Sequence, residues 1–292
     1  METARSTLPL LLVALALGPG SGEVVTSFSQ VPACARFFFQ DQEPEGFTSM
    51  NVTHLCQRLR GRYFYATLYA LTLRLPLYSA YILEESTTSR PNIDSRSWFL
   101  EPMLAGLPLP DMESPSSSRL QGQMARLEKS QAVDRDFRGS GLSRGHLNPS
   151  GHHSREAQLA TFTYSNMAPQ DIKFNSGPWA RYESWLRDAL LPTCAIAHVL
   201  TGVLPSGARP GEGTWLRGRV NVPLAFWSAA CCSLPTGAAE VHARLADNSP
   251  SAQVRTVSLA ELEHRLTQAF GKPVRLFPAG CPTPDTDPRL EA

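Results

Sequence analysis

The stretch from Gly139 to Glu183 constrains this chain more than any other. It opens with Gly139-Ser140-Gly141-Leu142-Ser143-Arg144-Gly145-His146-Leu147-Asn148-Pro149 and passes through Thr161-Phe162-Thr163-Tyr164-Ser165-Asn166-Met167-Ala168-Pro169-Gln170. It closes with Asn175-Ser176-Gly177-Pro178-Trp179-Ala180-Arg181-Tyr182-Glu183. Gly139, Gly141 and Gly145 let the backbone turn tightly and approach a ligand closely. The last run enters a helix expected from near Ser176 to about Leu190, because Pro178 is tolerated in a first helical turn.

The side chains of this stretch carry specific chemistry. Arg144 offers a planar, permanently charged fork suited to phosphate oxygens. His146, two residues on, is of the type that titrates near neutrality and can take a proton from water. Asn175 offers a hard amide oxygen of the kind Mg²⁺ accepts, and Mg²⁺ takes few protein ligands and keeps several waters. Glu183 lies eight residues beyond Asn175, about two turns on the same broad side, where it could hold a metal-bound water. These are the parts of a metal-assisted phosphodiester hydrolase. Plainer readings exist for each. An Arg-Gly-His in a loop is commonly a solvated turn, and Asn175 at a helix start is a natural N-cap. His152 and His153, adjacent and pointing differently, read as polar surface residues, and Trp179 and Trp185 as core or helix-packing residues.

Arg144-Gly145-His146, Ser165-Asn166-Met167-Ala168-Pro169-Gln170, and Asn175 followed by Trp179 and Glu183 together resemble the DNA/RNA non-specific endonucleases, the ββα-metal nucleases related to endonuclease G. With Cys34, Cys56, the Tyr63–Leu83 region and Ala229-Ala230-Cys231-Cys232, the chain looks most like the vertebrate secreted branch of endonuclease domain-containing proteins, over roughly residues 30 to 280. The resemblance implies an α+β fold with a central antiparallel sheet flanked by helices and long loops, a hairpin carrying the histidine and a helix carrying the metal ligand. It implies His146 as general base, Arg144 as the neutralising cation, Glu183 and Asn166 as supporting catalytic residues, and Asn175 as ligand of one Mg²⁺, with Mn²⁺ as an alternate. The substrate would be DNA or RNA gripped by its backbone without sequence preference, and since many relatives dimerise a homodimer stays open.

One position departs from the pattern. The family motif is Asp-Arg-Gly-His, and here Ser143 stands in the place of the Asp. The fold is little affected, but the level of activity is expected to fall. The rival reading is a pseudo-enzyme that keeps the fold as a secreted binding or scaffolding module.

The rest of the chain sets the context. Residues 1–22 read as a secretory signal: Arg5, an apolar run from Leu8 to Leu17, and the small residues Gly18-Pro19-Gly20-Ser21-Gly22. A single nuclease-like domain is expected over 23–281 and a free tail over 282–292. Six cysteines suit an oxidising compartment. Cys34 and Cys56 bracket a loop-rich segment and form a plausible local pair; Cys231 or Cys232 should pair with Cys194 or Cys281, with the choice open. Asn51-Val52-Thr53 is a glycosylation sequon. Tyr63–Tyr69 and Leu77–Leu83 read as a hairpin whose tyrosines pack in the core. Trp98–Pro102 reads as a packed anchor, Gln121–Val133 as carrying a short helix, Phe162–Tyr164 and Ala195–Gly202 as strands, Val220–Leu234 as a strand pair or one bent strand, and Leu259–Phe270 as an amphipathic helix. The net charge of +1, with 18% charged residues, gives no overall basic field, so attraction for phosphate must be local.

Overall fold

The computed structural model describes residues 24–47, 50–86, 98–209 and 211–282. The expected signal and all of the expected tail beyond Pro282 lie outside the described residues.

Among the described residues twelve strands occur: β1 (Val24–Val25), β2 (Val52–Leu59), β3 (Arg62–Ala70), β4 (Leu75–Ile82), β5 (Leu142–His146), β6 (Met167–Asp171), β7 (Ile196–Leu204), β8 (Trp215–Leu216), β9 (Val220–Asn221), β10 (Ala225–Ser233), β11 (Ala239–Asp247) and β12 (Arg255–Val257). Eight of them form one sheet in the order β1-β2-β3-β4-β7-β10-β11-β12, every pairing antiparallel. β5–β6 and β8–β9 are separate two-stranded hairpins. The architecture is α+β, as the sequence led one to expect.

The tyrosine-rich hairpin is β3–β4, and Tyr65, Tyr69, Tyr78 and Tyr81 are all buried, so they pack in the core as expected. β2 adds a strand in what reads from sequence as a loop-rich segment, while the expected Phe162–Tyr164 strand is absent: Thr163 makes a single bridge to Phe99, and Tyr164–Asn166 is a 3-10 turn. Val220–Leu234 resolves into short β9 and long β10. Leu259–Phe270 is a helix as the spacing predicts, capped by Ser258, whose Oγ accepts from the Glu261 amide at 3.0 Å, and closed by Gly271 at φ 70°. Its Leu262, Leu266 and Phe270 are buried.

Alternation along β10 explains the cysteines. Successive residues of a strand face opposite sides. Phe226 points to the side where Phe174 and Trp179 pack, at 6.0 and 5.7 Å between ring centroids, whereas Trp227 faces Phe47, which also meets Phe270. By the same alternation Cys232 bonds Cys194 on the first side and Cys231 bonds Cys281 on the second. Both adjacent cysteines are therefore used, and Cys34–Cys56 is the third bond. Closing loops of 22, 38 and 50 residues, each bond stabilises the fold by roughly 3–4 kcal/mol on the chain-entropy account.

The sheet thus separates two layers. The helix Leu259–Phe270 and the phenylalanine-rich N-terminal segment cover one face. The β5–β6 hairpin and the long helical run that follows it cover the other, and everything singled out in the Gly139–Glu183 stretch lies in that second layer.

Candidate active site

The hairpin sets the first part of the site. In β5, Ser143 pairs with Gln170, Gly145 with Ala168 and His146 with Met167. Period-two alternation puts Arg144 and His146 on one face, and both reach Trp98: the His146 ring lies 4.9 Å from its indole and the Arg144 guanidinium carbon 5.8 Å from it. Phe162 stands edge-on to His146 at 5.0 Å, so the imidazole is held between two aromatic rings. Arg144 also lies over Phe137, 5.4 Å from its centroid, and donates to the Asp134 carboxylate. Burial pushes the Tyr164 hydroxyl up to about 12, and nearby Arg144 pulls against that rise.

Asp134 opens the short helix Asp134–Phe137, and that helix is itself anchored. The Asp136 carboxylate, fully buried, accepts from Arg219 Nε at 2.9 Å and from the Val133 amide at 3.0 Å. The carboxylate that orients Arg144 therefore comes from a separate helix, not from the residue beside it in sequence.

The other strand face carries Ser143 and Gly145. A Cβ on Gly145 would lie 2.1 Å from Gln170 Oε1 and 2.7 Å from its Cβ, so only glycine fits beside this buried amide. Ser143 Oγ donates to the Gln170 carbonyl at 2.9 Å and accepts from Asn175 Nδ2 at 3.0 Å. This relay sets the polarity of the Asn175 amide. Its nitrogen is turned to Ser143, and its Oδ1 faces away with no protein donor among the described residues.

Asn175 is not an N-cap. The helix begins at Ile172, and Asp171 caps it, accepting from the Lys173 and Phe174 amides at 2.9 and 3.0 Å. Asn175, at φ −58° and ψ −50°, is already helical, so its side chain is released from capping. The run continues as a π segment over Asn175–Trp179, α over Ala180–Trp185 and π again over Leu186–Leu190. Pro178 accounts for the first widening, since it has no amide to give the Phe174 carbonyl. In a regular α-helix residues eight apart are offset by about 80°; a wider π turn between Asn175 and Glu183 reduces that offset. Trp179 is core, as expected, and Trp185 packs against Tyr182 and Arg244.

His152 and His153 are not surface residues; both are buried. His152 Nε2 faces the Glu183 carbonyl at 2.9 Å, which can only accept, so that nitrogen carries the proton and Nδ1 takes the Tyr81 hydroxyl at 3.0 Å. Burial lowers its pKa to about 3. His153 lies between Asn148 and Glu84, whose carboxyl is held below its usual range by that contact. The pair braces the β5–helix junction against β4.

Asn166 is fully buried. Its Oδ1 accepts from Ser79 Oγ and the Asn148 amide, and its Nδ2 donates to the carbonyls of Asn148 and Thr161, all at 2.9 Å. It ties the site loop to β4 and presents no atom to a substrate.

Asp134, Trp98 and Arg187 are contributions that sequence reasoning missed. Arg187 stands one helical turn beyond Glu183, close enough to feel its charge, and Asp188 holds it. The i,i+4 spacing of Glu183 and Arg187 was a usable signal; nothing local pointed to Asp134 or Trp98.

Among the described residues no cluster of three His, Cys, Asp or Glu side chains forms a metal cage. The donor available is instead one hard, half-exposed amide oxygen, and that suits a cation that prefers oxygen and retains most of its water.

The sequence model of the DNA/RNA non-specific endonucleases matches residues 43–270. The chain belongs to that family. Endonuclease domain-containing 1 protein from Homo sapiens is 30% identical over 219 residues, covering 74% of this chain and 41% of that protein. Mitochondrial Endonuclease G from Bos taurus is 30% identical over 128 residues, 41% of this chain and 42% of that protein. This member of the DNA/RNA non-specific endonucleases thus spans less than half the length of either relative. Among solved structures, that of the EndoG/EndoGI complex aligns with a TM-score of 0.52 at 19% identity, over 73% of this chain and 84% of that one. The fold is accordingly the ββα-metal nuclease fold: β5, β6 and the helical run are its two strands and its helix.

Proposed function

We propose that this endonuclease-family chain is a secreted, metal-dependent, non-specific nuclease that hydrolyses phosphodiester bonds of DNA or RNA. The observation that carries the reading is the relay from the Gln170 carbonyl through Ser143, on the strand that also carries Arg144 and His146, to Asn175, which leaves the Asn175 Oδ1 without a protein donor among the described residues.

Asn175 would hold one Mg²⁺, which supplies positive charge against the scissile phosphate and its leaving oxygen. His146, clamped by Trp98 and Phe162, takes a proton from the attacking water; loss of such a base costs on the order of 10²-fold or more. Arg144 meets the charge that grows on the phosphate oxygens. Glu183 would order water around such a cation, and Asn166 acts as a positioning residue, holding the loop between the strands. Three disulfides suit an oxidising compartment, the leader over 1–22 would direct the chain there, and Asn51, which is exposed, would carry glycan. A homodimer belongs to the same proposal.

The test is digestion of plasmid and RNA by the purified, disulfide-complete chain with Mg²⁺, with Mn²⁺ and with EDTA, beside His146→Ala. Metal-dependent cleavage that disappears in the variant is expected. No cleavage by a folded protein in any metal would replace this reading with that of an inactive binding module.

A further inference from the structure

A second cationic site lies where the helical run meets β11. It is a cavity of about 250 Å³ whose walls include Pro178, Arg181 and Trp185 from that run, Arg244 from β11, and Gln253. Arg244 pairs with Ser228 across the sheet, and alternation directs it to the same layer as the β5–β6 hairpin. Its guanidinium carbon lies 4.9 Å from the Trp185 ring and 5.8 Å from Tyr182, and its polar contact is the neighbouring Ala243 carbonyl.

Among the described residues neither Arg244 nor Arg181 has an acidic partner within ion-pair distance; Glu240, on the same face of β11, is taken by His242. Burial works against the Arg244 charge. A cation withdrawn from water without an anion is costly unless a ligand supplies the anion. Arg181, exposed on the helical run, adds a second positive group at the rim, and Gln253 adds an amide able to donate or accept.

Size and lining narrow the ligand. Pockets that enclose whole small molecules occupy roughly 300–1,000 Å³, so this one takes one unit of a chain more readily than a free, fully enclosed compound. A cation pair next to an indole ring fits an oxyanion attached to a flat ring, which is the repeat of a nucleic-acid strand. We propose that Arg244, Arg181 and Trp185 form a nucleotide subsite, separate from Asn175 and His146, that grips one phosphate and its unpaired base on a single-stranded segment of the substrate. The inference rests on the nuclease reading for the identity of the strand, not for the existence of the site.

Binding in EDTA separates the two. The full secreted chain is titrated with a short fluorescent oligodeoxythymidylate, with inorganic phosphate and with a sulfated oligosaccharide, beside Arg244→Gln, Arg181→Gln and His146→Ala. Oligonucleotide binding should weaken about tenfold in either arginine variant and hold in His146→Ala, with phosphate competing weakly. Arg181→Gln alters only an exposed side chain and keeps the test valid if Arg244→Gln fails to fold. Unchanged binding in Arg181→Gln overturns the subsite. So does tight binding of the sulfated sugar with none of the oligonucleotide. Oligonucleotide binding lost in the arginine variants, from a chain that cleaves nothing, would keep the subsite and remove the nuclease reading.

Discussion

Asn175 Nδ2 donates to Ser143 Oγ at 3.0 Å, and through that bond a single hydroxyl decides which way the proposed metal-ligand amide faces. Ser143 spends its own proton on the Gln170 carbonyl, so toward Asn175 it can only accept. Ser143→Ala removes the acceptor and frees the amide to rotate. The Mg²⁺ concentration for half-maximal cleavage should then rise about tenfold, in line with the loss of a hydrogen bond that orients a ligand. Ser143→Asp keeps an acceptor for Asn175 and adds a negative charge near the cation, and cleavage should increase. Equal metal titration curves for wild type and Ser143→Ala would show that the bond does not orient the ligand.

Arg144 depends on a charge from another element. Asp134 holds its guanidinium, while Phe137 and Trp98 stack on it. Asp134→Asn should lower kcat about tenfold through misplacement of the cation, with little change in thermal midpoint because Asp134 is partly exposed and Asp136 anchors the helix. Partial recovery in Asp134→Glu would mark a positioning effect. A variant with full activity would detach Asp134 from the chemistry.

Gly145 has no room for a side chain. Gly145→Ala would set a Cβ 2.7 Å from the Gln170 Cβ, an atom fixed to the backbone that cannot swing aside. The β5–β6 pairing must open, at a cost of about 1–3 kcal/mol and most of the activity. Chemical denaturation of the variant reads the first effect directly; an unchanged midpoint would contradict the observed packing.

Acid should weaken the fold through His152. Its folded pKa of about 3 lies below the unfolded value near 6.5, so the unfolded chain binds the proton first. Its contribution is complete above about pH 6.5 and is lost progressively as pH falls toward 3, amounting to about 2 kcal/mol by pH 5. His54 and His198, also lowered by burial, act in the same direction, whereas Glu263, raised by burial, acts weakly in the opposite one. Urea unfolding at pH 7.5 and pH 5 checks this, and His152→Gln should flatten the difference.

Asn166→Ala should destabilise by about 2–4 kcal/mol, since four buried hydrogen bonds lose their partner. If Asn166 only positions the loop, activity per folded molecule should fall far less than in His146→Ala.

What the sequence determined on its own was local or ordered along the chain. The periodicity of Leu259–Phe270, the tyrosine-rich strands β3 and β4, and the order of Arg144, His146, Asn166, Asn175 and Glu183 were legible because neighbours in sequence set them. The tertiary structure alone decided the partners that come from far away: Asp134 and Trp98 against Arg144, Tyr81 and Glu84 against the buried histidines, and the two opposite destinations of Cys231 and Cys232. Sequence also misplaced the helix start by a few residues, because Asp171 and Asn175 are both good caps and only the path of β6 into the helix selects Asp171. Burial and long-range pairing depend on which faces the sheet brings together, and a linear pattern does not carry that information.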